Sequence, residues 1–463
     1  MKKKILIIGA GVAGKMVADE IIKLLPNFEI VGFIDDDTEK IGTKYKSIPV
    51  LGNRFDILLL VEKHNISEIL IAIPSASAST IQKILEKCEK ARVRFRIVPG
   101  ISEIISGNVS LHHIRDVKPE DLLGREKIDI NINEISRTLS DKIVLVTGAG
   151  GSIGSELVRQ LVKFSPKKLI LLDNNEYNLY HLDLELSDIK ELDYSIILCD
   201  IRDREKLDNT FNQFKPDFVF HAAAFKHVPL LETQIDEAVK TNIFGTENLV
   251  SLSQKYNISR FIFISTDKAV KPKSVMGMTK KVAEALCISS NGKNTEFTAV
   301  RFGNVLGSIG SVVPLFQEQI KKGGPLTVTH PDIIRYFMTI SEAAQLVIQA
   351  GCLDYSGSIF ILDMGEPIKI MDLAKQMIIM SGYIPNSEIK IEITGLRPGE
   401  KLMEELLTDE ENINTTKYEK IFISKPSYNN INILQKTIES LKKAKTQDEM
   451  KKQLKEFCNE KVK

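Results

Sequence analysis

The chain has 463 residues, 43% of them hydrophobic, with 62 Lys+Arg against 61 Asp+Glu. At roughly 100–200 residues per domain this length predicts two or three domains, and the apolar content gives each a core, which excludes a mostly disordered chain. The charge balance excludes a strong field for nucleic acid or an anionic membrane, so an anionic ligand must be held locally, by helix N-termini and single Arg or Lys residues.

The cysteines (Cys88, Cys199, Cys287, Cys352 and Cys458) are odd in number, far apart and form no CxxC. That argues against a disulfide framework or a zinc site and fits a reducing cytosol. Residues 1–4 run straight into a strand-like stretch, with no signal peptide, and no apolar run reaches the ~18 residues needed to cross a bilayer. A cytoplasmic protein with no membrane span, bound metal or nucleic-acid partner is expected.

In chain order, the first element is an apolar run at residues 5–8, followed by Gly9, Gly11 and Gly14 in GxGxxG spacing and then a helical pattern. Glycines there allow a tight turn and close approach of phosphate to a helix N-terminus. A second apolar run, residues 30–34, ends in Asp35, Asp36 and Asp37, where a ribose hydroxyl would be held. Strand–helix alternation continues through residues 69–73 and 94–98. Residues 1–110 are therefore predicted to be a doubly wound unit, serving either a bound nucleotide or a docking or regulatory role. Residues 111–140 carry no strong period and are expected to be a linker packed on the second unit.

The second unit opens on DKIVLVTGAGGSIGSELVRQL, with Gly148, Gly151 and Gly154 in GxxGxxG spacing. The next strand-like run, residues 169–172, ends at Asp173, the expected place for an adenosine-ribose carboxylate. An Asp there favours NAD over NADP, because it would repel a 2'-phosphate. Further strand-like runs at 195–199, 218–220, 260–265 and 298–301 alternate with helical patterns, so a parallel sheet is predicted. The catalytic stretch is placed at residues 141–425 and a helical tail at 426–463. In that tail Met450, Leu454 and Phe457 stand at helical spacing and read as a solvated terminal helix.

Residues 260–265 run into Thr266, Asp267 and Lys268, and Met276 and Lys280 lie four apart on one helix face. Taken alone, Thr-Asp-Lys is also a common polar strand-to-loop turn, and Met276 a common core residue. The motifs HAAAFKHVP, STDKAVKP, MGMTK, RFGNVLGSIGSVVPLF, RYFMTISEA and GLRPGEKLMEEL occur together in this order. With them the second unit resembles the extended short-chain dehydrogenase/reductases that modify nucleotide sugars. That family usually has YxxxK, and Met276 here takes the Tyr position. This chain is thereby similar to one subgroup, the configuration-retaining UDP-N-acetylglucosamine 4,6-dehydratases of bacterial glycan synthesis. The resemblance spans about residues 1–410, including GFIDDD and PVLGN. Three departures stand out: no membrane helices precede the first fingerprint, Phe225 stands where Tyr is frequent, and Met278 where a small residue is usual.

The resemblance implies an α/β protein of two doubly wound Rossmann-like domains, the second with a small C-terminal substrate-binding lobe. It implies NAD as cofactor, UDP-N-acetylglucosamine as substrate and a homo-oligomer. The product would be UDP-2-acetamido-2,6-dideoxy-4-keto-hexose with retained carbon-5 configuration, for surface polysaccharide or glycoprotein glycan. Lys268 would take the carbon-5 proton, Asp267 would protonate the leaving 6-hydroxyl and Thr266 would bond the 4-hydroxyl. Because Met276 has no ionisable proton, Lys280 would assist at the 4-hydroxyl. The cofactor would meet Gly148, Gly151, Ser152, Ile153, Gly154, Asp173, Asp200, Ile201, Ala222, Ala223 and Lys280. Substrate would meet Lys226, His227, Asn242, Asn304, Ser311, Val312, Arg335, Arg397 and Glu400, with Lys401 beside the diphosphate. Two rival readings fit the same fold: a nucleotide-sugar 4-epimerase, and a non-catalytic nucleotide-sugar-binding regulator that has lost its Tyr.

Overall fold

The computed structural model describes residues 2–76, 78–87, 91, 93–98, 114–122, 128, 130–292, 294–407, 413–424 and 431–459. The chain divides into two compact units. One comprises residues 1–126, 312–332 and 369–394, and the other residues 127–311, 333–368 and 395–463.

The first unit contains strands β1 (Lys3–Ile8), β2 (Phe28–Ile34), β3 (Lys44–Tyr45), β4 (Ile48–Gly52), β5 (Glu68–Ile71), β6 (Arg94–Ile97) and β7 (Arg115–Asp116). They form one sheet in the order β3-β4-β2-β1-β5-β6-β7. The central pairings are parallel, and β3–β4 and β6–β7 are antiparallel. Ile5, Leu6, Ile7 and Ile8 are all buried, as a parallel strand covered on both faces requires. The helix Val12–Leu24 buries Val17, Ala18 and Ile21 on one face. It stops just ahead of Pro26, which disfavours helical backbone in the residue before it.

The second unit is built on β8 (Ile143–Thr147), β9 (Lys168–Asp173), β10 (Tyr194–Leu198), β11 (Phe218–His221), β12 (Arg260–Ile264), β13 (Glu296–Arg301), β14 (Ile359–Leu362), β15 (Ile413–Thr415) and β16 (Ile421–Ser424). Their order is β10-β9-β8-β11-β12-β13-β14-β16-β15. All pairings from β10 to β14 are parallel, and β16 joins β14 and β15 antiparallel. The order reverses direction between β8 and β11, and doubly wound sheets bind ligands beyond the carboxyl ends of strands at such a point. The α/β class expected from sequence is therefore the observed one.

Three details differ from expectation. Within residues 111–140, Arg115–Asp116 is a strand of the first sheet, while Ile132–Leu139 is a helix whose Ile135 and Leu139 are buried in the second unit's core. Neither piece is long enough to show a period. Residues 312–332 and 369–394, expected inside the catalytic stretch, pack with residues 1–126. There the short strands Leu326–Val328 and Ile391–Ile393 pair in parallel beside the helices Val312–Lys321 and Ile370–Met380. The tail is two helices, Ile431–Lys443 and Gln447–Asn459, and they are not simply solvated. Leu434, Ile438, Leu441 and Leu454 are buried in one cluster with Met276, Met278 and Val282. The apolar residues at 434, 438 and 441 supply the stripe that spacing at 450–457 alone did not reveal.

The helix Val275–Ser289 is buried on nearly every side, including Glu284. Arg301, at the end of β13, donates from Nη2 to Glu284 Oε1 at 2.6 Å and from Nε to Oε2 at 2.9 Å. Ser265 Oγ donates to Glu284 Oε2 at 2.6 Å. This two-pronged pair sits in the core, where removing one partner strands the other charge. Arg301→Met or Glu284→Gln is expected to cost about 3–5 kcal/mol of folding free energy, read by urea denaturation. A loss below about 1 kcal/mol would show that the pair does not lock helix to sheet.

Candidate active site

The glycine turn after β8 is shaped by what a side chain would strike. Gly148 has φ +68°, and a Cβ there would lie 2.6 Å from the Ala223 nitrogen. A Cβ on Gly154 would lie 1.9 Å from the Gly148 carbonyl oxygen. The turn is thereby held tight, and the helix Ser152–Val162 starts at the strand end with Gly151 as its N-cap. Its first N–H groups have no partner within the helix, which suits an anion. Ile153 lies in this first turn. The Gly150 N–H donates to Asp173 Oδ2 at 2.9 Å, and the Asn175 N–H donates to Asp173 Oδ1 at 2.9 Å. Each oxygen keeps a lone pair for a ribose hydroxyl. Ala222 donates its N–H to the Thr147 carbonyl at 3.1 Å, so β8 and β11 end side by side. Asp200 lies beyond β10, paired with Arg202 at 2.6 Å, and Ile201 is buried against Gly245. A glycine cradle, a helix N-terminus and an acid at the next strand end fit a dinucleotide.

The pair expected to do the chemistry is brought together beyond β12. Lys268 Nζ donates to Asp267 Oδ1 at 3.0 Å and to Asn304 Oδ1 at 3.0 Å. Thr266 Oγ1 donates to Asp267 Oδ1 at 2.8 Å. Asp267 is 1% exposed, and its Oδ2 has no hydrogen-bond partner among the described residues. A buried acid with one oxygen unsatisfied is costly to keep for folding alone.

Beside Lys268 is a pocket of about 130 Å³, lined among others by Lys268, Lys273, Arg335, Arg397, Lys401 and Glu404. Arg335 donates to the Leu402 carbonyl at 3.0 Å and the Lys401 carbonyl at 2.8 Å, and Glu400 stands 3.5 Å from it. Part of its fork is therefore spent holding the Arg397–Glu404 segment. Glu400 in turn accepts the Arg397 N–H at 3.1 Å, while the Arg397 side chain is exposed at the pocket. Burial lowers the pKa of the Lys226 amine, and so does the charge of Lys268. Lys226 is 3.4 Å from Ser308 Oγ. His227, also lowered by burial and then by Lys226, packs under Gly310. The Ser308–Ser311 turn reaches the glycine loop, where the Ile309 N–H donates to Ser152 Oγ at 3.0 Å. Ser311 Oγ is buried without a partner among the described residues. Val312 begins a helix of the other compact unit.

Two expected assignments change. Asn242 is buried, and its side chain accepts the Phe225 N–H at 2.8 Å and donates to the Phe225 carbonyl at 3.0 Å and to Thr279 Oγ1 at 3.1 Å. With its amide committed, it positions the Phe225–His227 loop rather than meeting substrate. Lys280 is buried as well, donating to the Ile264 carbonyl at 2.6 Å, with Nζ 3.9 Å from the centre of the Phe263 ring. Those partners hold its amine against the carboxyl end of β12. Met276 is a core residue. Sequence reading passed over three features: Glu404, the Glu284–Arg301 pair, and the neutral His221 held between Thr147 and Thr246. For Glu404 there was a signal, the adjacent acids Glu404 and Glu405 in GEKLMEEL, beyond the Arg397, Glu400 and Lys401 already assigned to substrate.

Burial pushes the Lys280 amine down to about 8 from an ordinary 10.5. Between those values the unfolded chain holds a proton that the folded chain does not, so stability rises with pH across that window. Lys280→Met should remove this rise, seen as a flatter plot of urea midpoint against pH from 8 to 10. Identical wild-type and variant slopes would show that the amine titrates normally.

Residues 144–426 match a family model described as "Polysaccharide biosynthesis protein", and residues 2–99 one described as "CoA-binding domain". The chain is 47% identical over 411 residues to the probable polysaccharide biosynthesis protein EpsC of Bacillus subtilis, covering 88% of this chain and 68% of that one. It is 34% identical over 280 residues to a UDP-glucose 4-epimerase of Rickettsia bellii, covering 58% and 79%. It is 32% identical over 292 residues to the inverting UDP-N-acetylglucosamine 4,6-dehydratase of Campylobacter jejuni, covering 62% and 83%. With a glycine cradle, an Asp–Lys contact at a strand end and a match of this extent, the chain belongs to the polysaccharide biosynthesis protein family.

Proposed function

We propose that this member of the family is an NAD-dependent UDP-N-acetylglucosamine 4,6-dehydratase that retains configuration at carbon 5. The observation that carries the reading is the Asp267–Lys268 contact of 3.0 Å at the end of β12, with Asp267 buried and one of its oxygens without a partner among the described residues. Elimination of water needs an acid and a base side by side. A 4-epimerase moves a proton only at the 4-hydroxyl and expels no leaving group, so it has no use for a second acid–base pair, and a protein that only binds has no need of a lysine in hydrogen-bond contact with that acid.

NAD, when bound, supplies the acceptor for the carbon-4 hydride and the donor that returns it at carbon 6. Gly148, Gly151, Gly154, the first turn from Ser152 and Asp173 would hold it. Along the Lys268–Asp267 hydrogen bond, one proton can sit on either group, as ammonium with carboxylate or as amine with carboxylic acid. The second form is the one elimination uses. Lys268 takes the proton from carbon 5 as Asp267 protonates the carbon-6 hydroxyl, which leaves as water. Lys268 then returns its proton to carbon 5 from the face it took it, and this accounts for retention. The proton released by the 4-hydroxyl during oxidation passes to solvent, and Asp267 takes one back from solvent after the water has left, so the pair returns to its starting state. Thr266 Oγ1 has a free lone pair to orient that hydroxyl, while Met276 offers no ionisable group. Asn304 fixes the Lys268 amine from the side opposite Asp267.

The cationic residues of the pocket suit the diphosphate. Arg397 is the exposed fork there, and Arg335 is the buried one that shapes the Arg397–Glu404 segment. The pocket thereby supplies locally the charge that a net +1 chain does not provide overall.

Lys268→Met and Asp267→Asn should each reduce formation of the 4-keto-6-deoxy product by about 100–10,000-fold while leaving NAD bound, because general acid–base groups contribute on this scale. Product made in deuterium oxide should carry one deuterium at carbon 5 and none at carbon 6. Proton NMR of the carbon-6 methyl reads both. Deuterium at carbon 6, or product inverted only at carbon 4, would overturn the reading.

A further inference from the structure

Glu404 stands out in the second unit. It is 5% exposed, and its Oε2 has no hydrogen-bond partner among the described residues. The nearest recorded cation, Lys401 Nζ, is 3.8 Å away, beyond hydrogen-bond range, and donates instead to the Val270 carbonyl at 3.2 Å. Glu404 lines the same pocket as Lys268, Arg335 and Arg397. Burial raises its carboxyl above the ordinary carboxylate range. Lys268 pulls it down, Asp267 pushes it up, and Arg335 and Lys401 pull it down again. It therefore feels both members of the Asp267–Lys268 pair.

A carboxyl group in a basic pocket cannot serve the diphosphate, which it would repel. What it can do is accept a hydrogen bond from a neutral donor. The neutral donors of a nucleotide sugar that could reach the Asp267–Lys268 end of the pocket are the hydroxyls and acetamido N–H of the hexose. We propose that Glu404 is a specificity-determining residue that accepts a hydrogen bond from the sugar portion of the substrate. This rests on the nucleotide-sugar reading above. Leaving a buried carboxylate oxygen unpaired costs folding free energy. A residue kept for the fold alone would be satisfied by its neighbours, as Glu284 is by Arg301 and Ser265. A site built to bond a polar group also rejects ligands that lack it far more strongly than an apolar pocket rejects a size change.

The test compares wild type with Glu404→Gln and Glu404→Leu, using UDP and UDP-N-acetylglucosamine as probes in calorimetry, with turnover and thermal melting alongside. Melting temperatures of both variants should equal or exceed that of wild type, because an unsatisfied buried charge has been removed. UDP affinity should stay within about twofold. UDP-N-acetylglucosamine affinity should fall about 10- to 100-fold in the Leu variant and less in the Gln variant, whose amide oxygen still accepts. Turnover should follow the same order. A melting temperature that falls in step with activity would make Glu404 structural and overturn the proposal. Equal weakening of UDP and UDP-N-acetylglucosamine would place it at the diphosphate and overturn it too. If wild type turns over the sugar and the Leu variant matches it, this proposal alone fails. If wild type shows no turnover of any kind, the parent reading fails and takes this one with it.

Discussion

The arrangement beyond β12 depends on how the helix Val275–Ser289 is held to the sheet. A helix lying on a parallel sheet is normally held by apolar side chains, which tolerate sliding by a few tenths of an ångström. Here two polar clamps are added. Glu284 ties Ser265 to Arg301, and one turn earlier Lys280 ties the helix to the Ile264 carbonyl. Buried charge-assisted bonds are directional, and breaking one leaves a charge without solvent. They fix the helix against the last residues of β12 and β13. The chain after Ile264 then has little choice of path. The Ser265 N–H bonds the Val300 carbonyl and the Asp267 N–H the Phe302 carbonyl, so Thr266, Asp267 and Lys268 leave the sheet in one register. Gly303 completes the fit, since a Cβ there would sit 3.3 Å from Asp267 Oδ2.

Charge is distributed to match. The positive groups of the second unit's pocket lie on separate segments: Lys268 after β12, Arg335 in the short strand Ile334–Arg335, and Arg397 and Lys401 in the segment before β15. Arg335 ties the last two together through backbone carbonyls. A ligand carrying two phosphates would meet cations that are already oriented, at little cost in side-chain entropy. Two carboxyl groups in the same region, those of Asp267 and Glu404, each keep an oxygen without a partner among the described residues. Groups of opposite sign that do not fully satisfy one another belong to a binding surface, not to a core.

Much of this was legible in the sequence, for identifiable reasons. The glycine turns could be read because only glycine survives a contact such as 1.9 Å from Gly154 to the Gly148 carbonyl, so the residue type encodes the geometry. Strands β8, β9, β11 and β12 could be read because strands buried on both faces are apolar throughout, as Leu169–Leu172 are. Asp267 and Lys268 could be placed because a strand end in an open α/β sheet is where ligands gather. The misreadings share a cause: they depend on residues distant in sequence. Asn242 resembles a polar contact until its partners, Phe225 and Thr279, are known. Residues 312–332 and 369–394 carry ordinary helix and strand patterns that do not announce which residues they pack against. Arg301 ends an apolar strand and would be read as exposed, yet its partner Glu284 lies 17 residues earlier.

The methionine at 276 connects several of these points. A tyrosine at that place on the helix would put a phenol beside Lys280 and share its charge. Met276 instead belongs to an apolar cluster with Met278, Val282 and the tail residues Leu434, Ile438 and Leu454. Lys280 is left without an acidic partner on that side, and it satisfies its ammonium with a backbone carbonyl and an aromatic face. These are neutral acceptors and do little to offset the desolvation that lowers its pKa. The methionine therefore gives the tail an apolar surface to cover, while burial depresses the Lys280 pKa. It also puts no ionisable group at that position of the helix, so the acid–base contact that the structure brings together beyond β12 is the one between Asp267 and Lys268.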